Sequence, residues 1–220
     1  MIPILIDKQD TVEIIRDQIG AILAVEAANQ KALAETAGKD ASQWTFRTYI
    51  ERSNPVAEFL DATEPQPPVI NVTLESVRYD MSRSTIVGEF IGANATFHID
   101  CFGHGMASDD PSELGHVAGD KMSAFEAQRA ARFVRNVFCS GHYTYLEMRG
   151  TVHRRWIDTL TLMVPPPEGR ELQQVVVARL AMTVDFNEYA PQHEGEPLEL
   201  VRATVKRKET GEVYFVGDYQ

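Results

Sequence analysis

Residues 174–187 read Gln174-Val175-Val176-Val177-Ala178-Arg179-Leu180-Ala181-Met182-Thr183-Val184-Asp185-Phe186-Asn187, and they decide the fold class. Val176, Ala178, Leu180, Met182, Val184 and Phe186 fall on one side of an extended chain. Arg179, Thr183, Asp185 and Asn187 fall on the other. Side chains alternate across a strand, so this pattern buries one face and wets the opposite one. A sheet with one covered face needs a second layer to cover it.

The neighbouring segments fit that sheet. Residues 84–102 are strand-like, and Ala95, Phe97, Ile99 and Cys101 alternate with Asn94, Thr96, His98 and Asp100. In 69–79, Ile70, Val72 and Leu74 share a face, but the apolar phase then slips to Val77 and Tyr79. Such a slip predicts a bulge or bend near Ser76. Residues 151–164 carry Leu160, Leu162 and Val164 on one face before Pro165-Pro166-Pro167 ends the run. Leu198–Lys206, the turn Lys208-Glu209-Thr210-Gly211 and Val213–Val216 read as a terminal hairpin.

Two helices supply the covering layer. Val12, Ile15, Ile19 and Ile22 make an amphipathic stripe in a helix from a cap at Asp7 to Ala37, with Gly38 as its stop. A second helix runs from a cap at Asp120 to Phe138. Its expected buried side is Met122, Phe125, Ala130, Phe133, Val134 and Val137, with Arg129, Arg132 and Arg135 facing water. Between the first helix and the sheet, 39–68 holds a short strand within 44–50, a break at Asn54-Pro55 and the stiff Pro65, Pro67 and Pro68. The order helix, strands, helix, strands predicts an α+β fold, a mostly antiparallel sheet with both helices on one face. It is expected to be a single domain, 1–220, with 39–68 inserted and 198–218 added as a hairpin.

Charge narrows the function classes. The 220 residues hold 21 Lys+Arg and 32 Asp+Glu, a formal net charge of −11. Nonspecific nucleic-acid binding and docking on anionic membranes both need the opposite sign. The apolar start Met1–Ile6 stops at Asp7 without a basic flank, and no stretch approaches the roughly 20 apolar residues of a membrane span. Cys101 and Cys139 match no metal or redox spacing and read as buried thiols. A soluble protein made in a reducing cytoplasm is the expectation.

The stretch His98-Ile99-Asp100-Cys101-Phe102-Gly103-His104 is the most enzyme-like. His98 and Asp100 share a strand face, and with His104 they form a candidate metal set, although zinc needs three or four converging ligands. The bland alternative is a polar face with a His–Asp contact. The Gly103–Asp120 segment has four glycines before a helix but lacks a P-loop or G-x-G-x-x-G pattern. Its Asp109, Asp110, Glu113 and Asp120 would repel phosphate, so it reads as a mobile loop or an assembly arm. Ser140-Gly141-His142 has no G-x-S-x-G elbow, and no H-E-x-x-H occurs. Arg154-Arg155 and Lys206-Arg207-Lys208 read as solvated strand ends or turns.

This layout resembles the tail-terminator proteins of long-tailed bacteriophages. The resemblance rests on the long helix around Thr11–Ile19, the meander into the helix Ala124–Arg135, and the closing strand Leu180–Glu188. It covers 1–38 and 69–190 best and implies a structural virion protein rather than an enzyme, with no cofactor. The implied partners are other copies of the chain in a hexameric ring, the tail tube protein, neck or connector proteins, and a tail sheath. DNA would pass through such a ring without being bound, and the protein would be assembled in the host cytoplasm into the virion. A head-completion or baseplate component is the neighbouring alternative, and a metal-dependent enzyme using His98, Asp100 and His104 is the alternative of another class.

Overall fold

The computed structural model describes residues 9–59, 62–83, 90–110, 115–163, 174–189, 201–206 and 213–219. The first helix, α1, spans Thr11–Thr36 with Asp10 at its N-cap. The Glu13 carboxylate accepts the Asp10 N–H at 3.3 Å, the reciprocal arm of a capping box. This is why the helix starts after Asp10 and not after Asp7: only Asp10 has a glutamate three residues on. At the other end Gly38 takes φ +64°. There the Lys39 N–H reaches the Ala34 carbonyl at 2.9 Å, and the Gly38 N–H reaches Glu35 at 3.1 Å. The pair satisfies last-turn carbonyls in a conformation that glycine adopts without strain.

Five strands form the main sheet: β1 (Arg47–Ile50), β2 (Val69–Asp80), β3 (Phe90–His104), β4 (Val152–Met163) and β5 (Val175–Tyr189). Their spatial order is β1-β2-β3-β5-β4. β1 runs parallel to β2, and all other pairs are antiparallel. The fold is thus α+β, a mostly antiparallel mixed sheet with two helices. Ile99 lies opposite Val72 on one side and Leu180 on the other, so three strands align their apolar phases. The register shifts between Leu74 and Ser76, the irregularity that the phase slip predicts. Val164, the third member of the β4 stripe, lies outside the described residues.

The α1 stripe Val12, Ile15, Ile19 and Ile22 is buried in the core with Phe97, Ile99, Leu180, Met182, Val184 and Phe186. The segment 39–68, read above as an insertion, supplies β1 at one sheet edge. It also brings Trp44 and Phe46 to Phe133, with ring centroids at 6.4 and 4.8 Å. On the opposite sheet face, Phe59 joins Val69, Phe102, Val175 and Val177 in a second apolar cluster. Period-two reasoning misses this cluster, because Val175 and Val177 sit on the wetter phase of β5 and Phe59 reaches them from a distant part of the chain.

The second helix, α2, spans Gly119–Cys139 and follows Ala118 at the cap. Asp120 lies in its first turn instead of capping it. The buried face runs through Ser123, Ala127, Ala130, Ala131, Val134 and Phe138. Phe125, expected inside, is 54% exposed. The reason is proximity. A Cβ on Gly103 would stand 2.1 Å from the Ser123 carbonyl oxygen and 2.3 Å from the Ala127 nitrogen. Backbones this close admit only small side chains between them, so the seating face centres on Ser123 and Ala127 and turns Phe125 outward. Gly103 therefore belongs to β3 and not to a loop. Cys101 is buried as expected, but Cys139 is exposed because α2 ends there, away from its seating face.

The chain divides into two compact units, one within 6–190 and one that includes 191–220. The latter contains the antiparallel hairpin β6 (Val201–Lys206) and β7 (Val213–Tyr219). The turn at 208–211 lies outside the described residues.

Replacing Gly103 with Ala should cost about 2–4 kcal/mol, because backbone and not a flexible side chain occupies the new methyl's place. Gly141→Ala, whose Cβ would meet nothing within 4 Å, should stay within about 0.5 kcal/mol. Urea denaturation of both variants checks the contrast.

Candidate functional site

β3 places His98, Asp100 and His104 on the sheet face turned away from the helices, since the intervening Phe97, Ile99 and Cys101 all lie in the helix-side core. The three share a face but do not converge. His98 Nε2 lies 3.0 Å from the Glu75 carboxylate. Asp100 accepts two bonds from Arg179, Nε at 2.7 Å and the terminal nitrogen at 2.8 Å. The expected His–Asp contact is replaced by these two separate pairs. Among the described residues, no group of three or more His, Cys, Asp or Glu is placed to hold a metal ion.

His104 is the most enclosed of the three, at 2% exposure. Its ring stacks on Phe59 at 5.2 Å, and its Nδ1 accepts the Gln66 N–H at 3.3 Å. Burial lowers the imidazole's affinity for a proton, and a side-chain bond with Gln174 opposes that only in part. An Nδ1 that accepts a backbone N–H has no room for a proton of its own. His104 therefore works as a neutral clasp between β3 and the segment before β2.

The pair Asp100–Arg179 is the clearest electrostatic element. Asp100 is 6% exposed, so its charge is stable there only with a partner. The bidentate bond to Asp100 holds the Arg179 guanidinium above its usual range, with burial opposing. Asp185 plays the same part lower on the face, with Arg83 at 2.5 Å and Arg154 at 3.4 Å. On this face the two buried carboxylates, Asp100 and Asp185, are each answered by arginine.

The acidic residues of 103–120 are dispersed. Asp109 lies at the surface, 2.7 Å from His116 Nδ1. The Asp110 N–H donates to Ser108 Oγ, and Asp120 accepts the Lys121 N–H at 2.8 Å. Glu113 lies outside the described residues. Ser108 and Val117 form an isolated antiparallel bridge.

Arg155 is a structural residue that the basic pair alone does not reveal. The pair Arg154-Arg155 reads as solvated, but strand alternation sends the two to opposite faces. Arg155 donates to the Ser140 carbonyl at 2.9 Å, to Tyr143 at 2.6 Å and to Phe138. It thereby holds the end of α2 to β4, and burial pulls its guanidinium below the usual value. The alternation of β4 was the available signal. Lys206-Arg207-Lys208 lies outside the residues whose side chains are described.

The other feature is the edge strand β4. Trp156, Leu160 and Leu162 are exposed large hydrophobic residues there, the two leucines at 53% and 49%. None of the described helices is long and apolar enough to cross a membrane. In comparisons with known proteins, no family model and no curated protein matches the chain.

Arg179→Met should cost about 2–4 kcal/mol by leaving Asp100 buried and unpaired. Adding Asp100→Asn should recover part of that loss, a coupling that a double-mutant cycle in urea measures. The His104 linkage has a definite sign. Its folded value is lowered, so between that value and the ordinary 6.5 the unfolded chain takes up a proton that the folded chain refuses. Stability should therefore fall as pH drops below 6.5, and His104→Gln should show a shallower fall between pH 7 and 5.

Proposed function

We propose that the chain is a structural subunit of the tail-terminator kind, a ring on the head-proximal end of a phage tail tube. The observation that carries this reading is β4: a long strand at the edge of the sheet that exposes Trp156, Leu160 and Leu162. Edge strands normally avoid exposed apolar residues, because unpaired backbone beside them invites another chain. A head-to-tail contact made by one such edge closes into a ring when its rotation permits. The element order supports the same reading, since it follows the family's helix, meander, helix and closing strand.

In this role the ring stops tube growth and presents a face to neck or connector proteins, with a sheath as a further neighbour. Work of this kind draws on shape and edge chemistry. The net charge of −11 suits a ring through which DNA passes, because acidic walls repel phosphate. The arm around Asp109 and Asp110 is the first candidate for the lumen or for the next ring.

Native mass spectrometry and negative-stain microscopy of the purified protein should show closed rings, sixfold by the resemblance, that bind one end of tail tubes. Leu160→Glu with Leu162→Glu should give a folded protein, by far-UV circular dichroism, that no longer forms rings. A particle that stays monomeric alone and in the presence of tails would refute the reading. Rings that bind heads or baseplates instead would reassign the protein to those assemblies.

A further inference from the structure

We propose that the cleft between α1, α2 and the turn Gly141–Tyr143 binds an organic cation, an alkylammonium or guanidinium group, on the Glu26 carboxylate and the Trp44 and Phe133 rings.

The cleft has a volume of about 300 Å³. That is the low end for ligand pockets and suits a small group rather than a nucleotide. Its walls are mostly aromatic and aliphatic, but Glu26 stands among them. The Tyr143 hydroxyl donates to Glu26 Oε1 at 2.5 Å, and the Asn29 amide reaches the same oxygen at 3.4 Å. Burial, with Glu26 beside it, pushes the Tyr143 phenol up to about 12. The phenol therefore stays protonated near neutral pH, orienting the carboxylate without neutralising it. Among the described residues no Lys, Arg or His pairs with Glu26.

An oriented carboxylate without a counter-charge, in an aromatic cleft, selects against two ligand classes. Anions are repelled, and Glu147 near Tyr143 adds to the same negative potential. A neutral apolar group would strip water from Glu26 and return nothing. A cation with an apolar stem satisfies both walls, since ring faces attract positive charge within about 6 Å. Gln30 and Asn136 also line the cleft, and a side-chain amide can accept from its N–H groups. His142 lies edge-on to Tyr143 at 4.7 Å. Arg155 does not compete, because its three bonds go to the carbonyls of Phe138, Ser140 and Tyr143.

The cation has two possible sources, a free amine or a Lys or Arg side chain from a second copy, and one experiment separates them. The indole N–H resonance of Trp44, assigned with Trp156→Phe, is followed while methylguanidinium, tetramethylammonium or neutral tert-butanol is added. The cations should give a saturable shift and tert-butanol none. Glu26→Gln, which keeps an acceptor for Tyr143, should weaken cation binding by about tenfold. Native mass spectrometry of Glu26→Gln identifies the source. Unchanged assembly with lost binding assigns a free amine, and a lowered oligomeric state with unchanged circular dichroism assigns a side chain of a second copy. Equal cation binding by wild type and Glu26→Gln would overturn the proposal. So would the absence of any saturable shift together with unchanged assembly. The proposal does not depend on ring formation, because probe binding is read on the protein in whatever state it assumes.

Discussion

The close seating of α2 on β3 is the constraint from which the rest of the larger unit follows. Gly103 in β3 and Gly105 just past its end let helix backbone come within contact of the chain beneath it, and no other residue type leaves that space. Ser123 and Ala127 are small for the same reason. Once the helix lies this near, its axis and rotation are set. Phe133 then reaches Trp44 and Phe46, and Phe138 reaches the core. The end of α2 also falls beside β4, where Arg155 ties the carbonyls of Phe138, Ser140 and Tyr143. The cleft lined by Glu26, Trp44, Phe133 and Tyr143 exists because these elements meet at that end.

The two faces of the sheet obey different physics. Helix-side residues are held by apolar burial, which is non-directional and tolerates any good fit. The other face holds Asp100 and Asp185 with little exposure, and charges there persist only with partners. Arg179, Arg83 and Arg154 supply them. This accounts for a stretch that looks like a metal site in one dimension. His98, Asp100 and His104 share a face because strands alternate, but sharing a face does not make side chains converge. Each is drawn to a different neighbour: Glu75, Arg179, and the Phe59–Gln66 segment.

The exposed apolar residues of β4 and the carboxylate of Glu26 belong to different parts of the surface. One is a backbone edge with half-exposed leucines, and the other is a small aromatic recess. An edge of this kind favours long contacts between chains, whereas a recess favours a single charged group. In the proposed ring the two would divide the work, an edge supplying affinity and a charge setting register.

Periodicity alone was enough for the fold class. The alternation in 174–187, the stripe Val12 to Ile22 and the phase slip at Ser76 are local patterns, and local patterns determine strands, helices and bulges. The positions of Gly38 and Glu13 set the helix ends for the same reason. What periodicity could not decide was anything that depends on distance across the chain. The clustering of Val175 and Val177 with Phe59 requires a distant part of the chain to reach them. The outward turn of Phe125 requires Gly103 to meet Ser123. The partners of Asp100 and Arg155, and the recess at Glu26, arise from residues 79, 15 and 117 positions apart. Hydrophobic spacing records which face is buried, but only the packed chain decides which groups meet there, because pairing depends on three-dimensional proximity that no local period encodes.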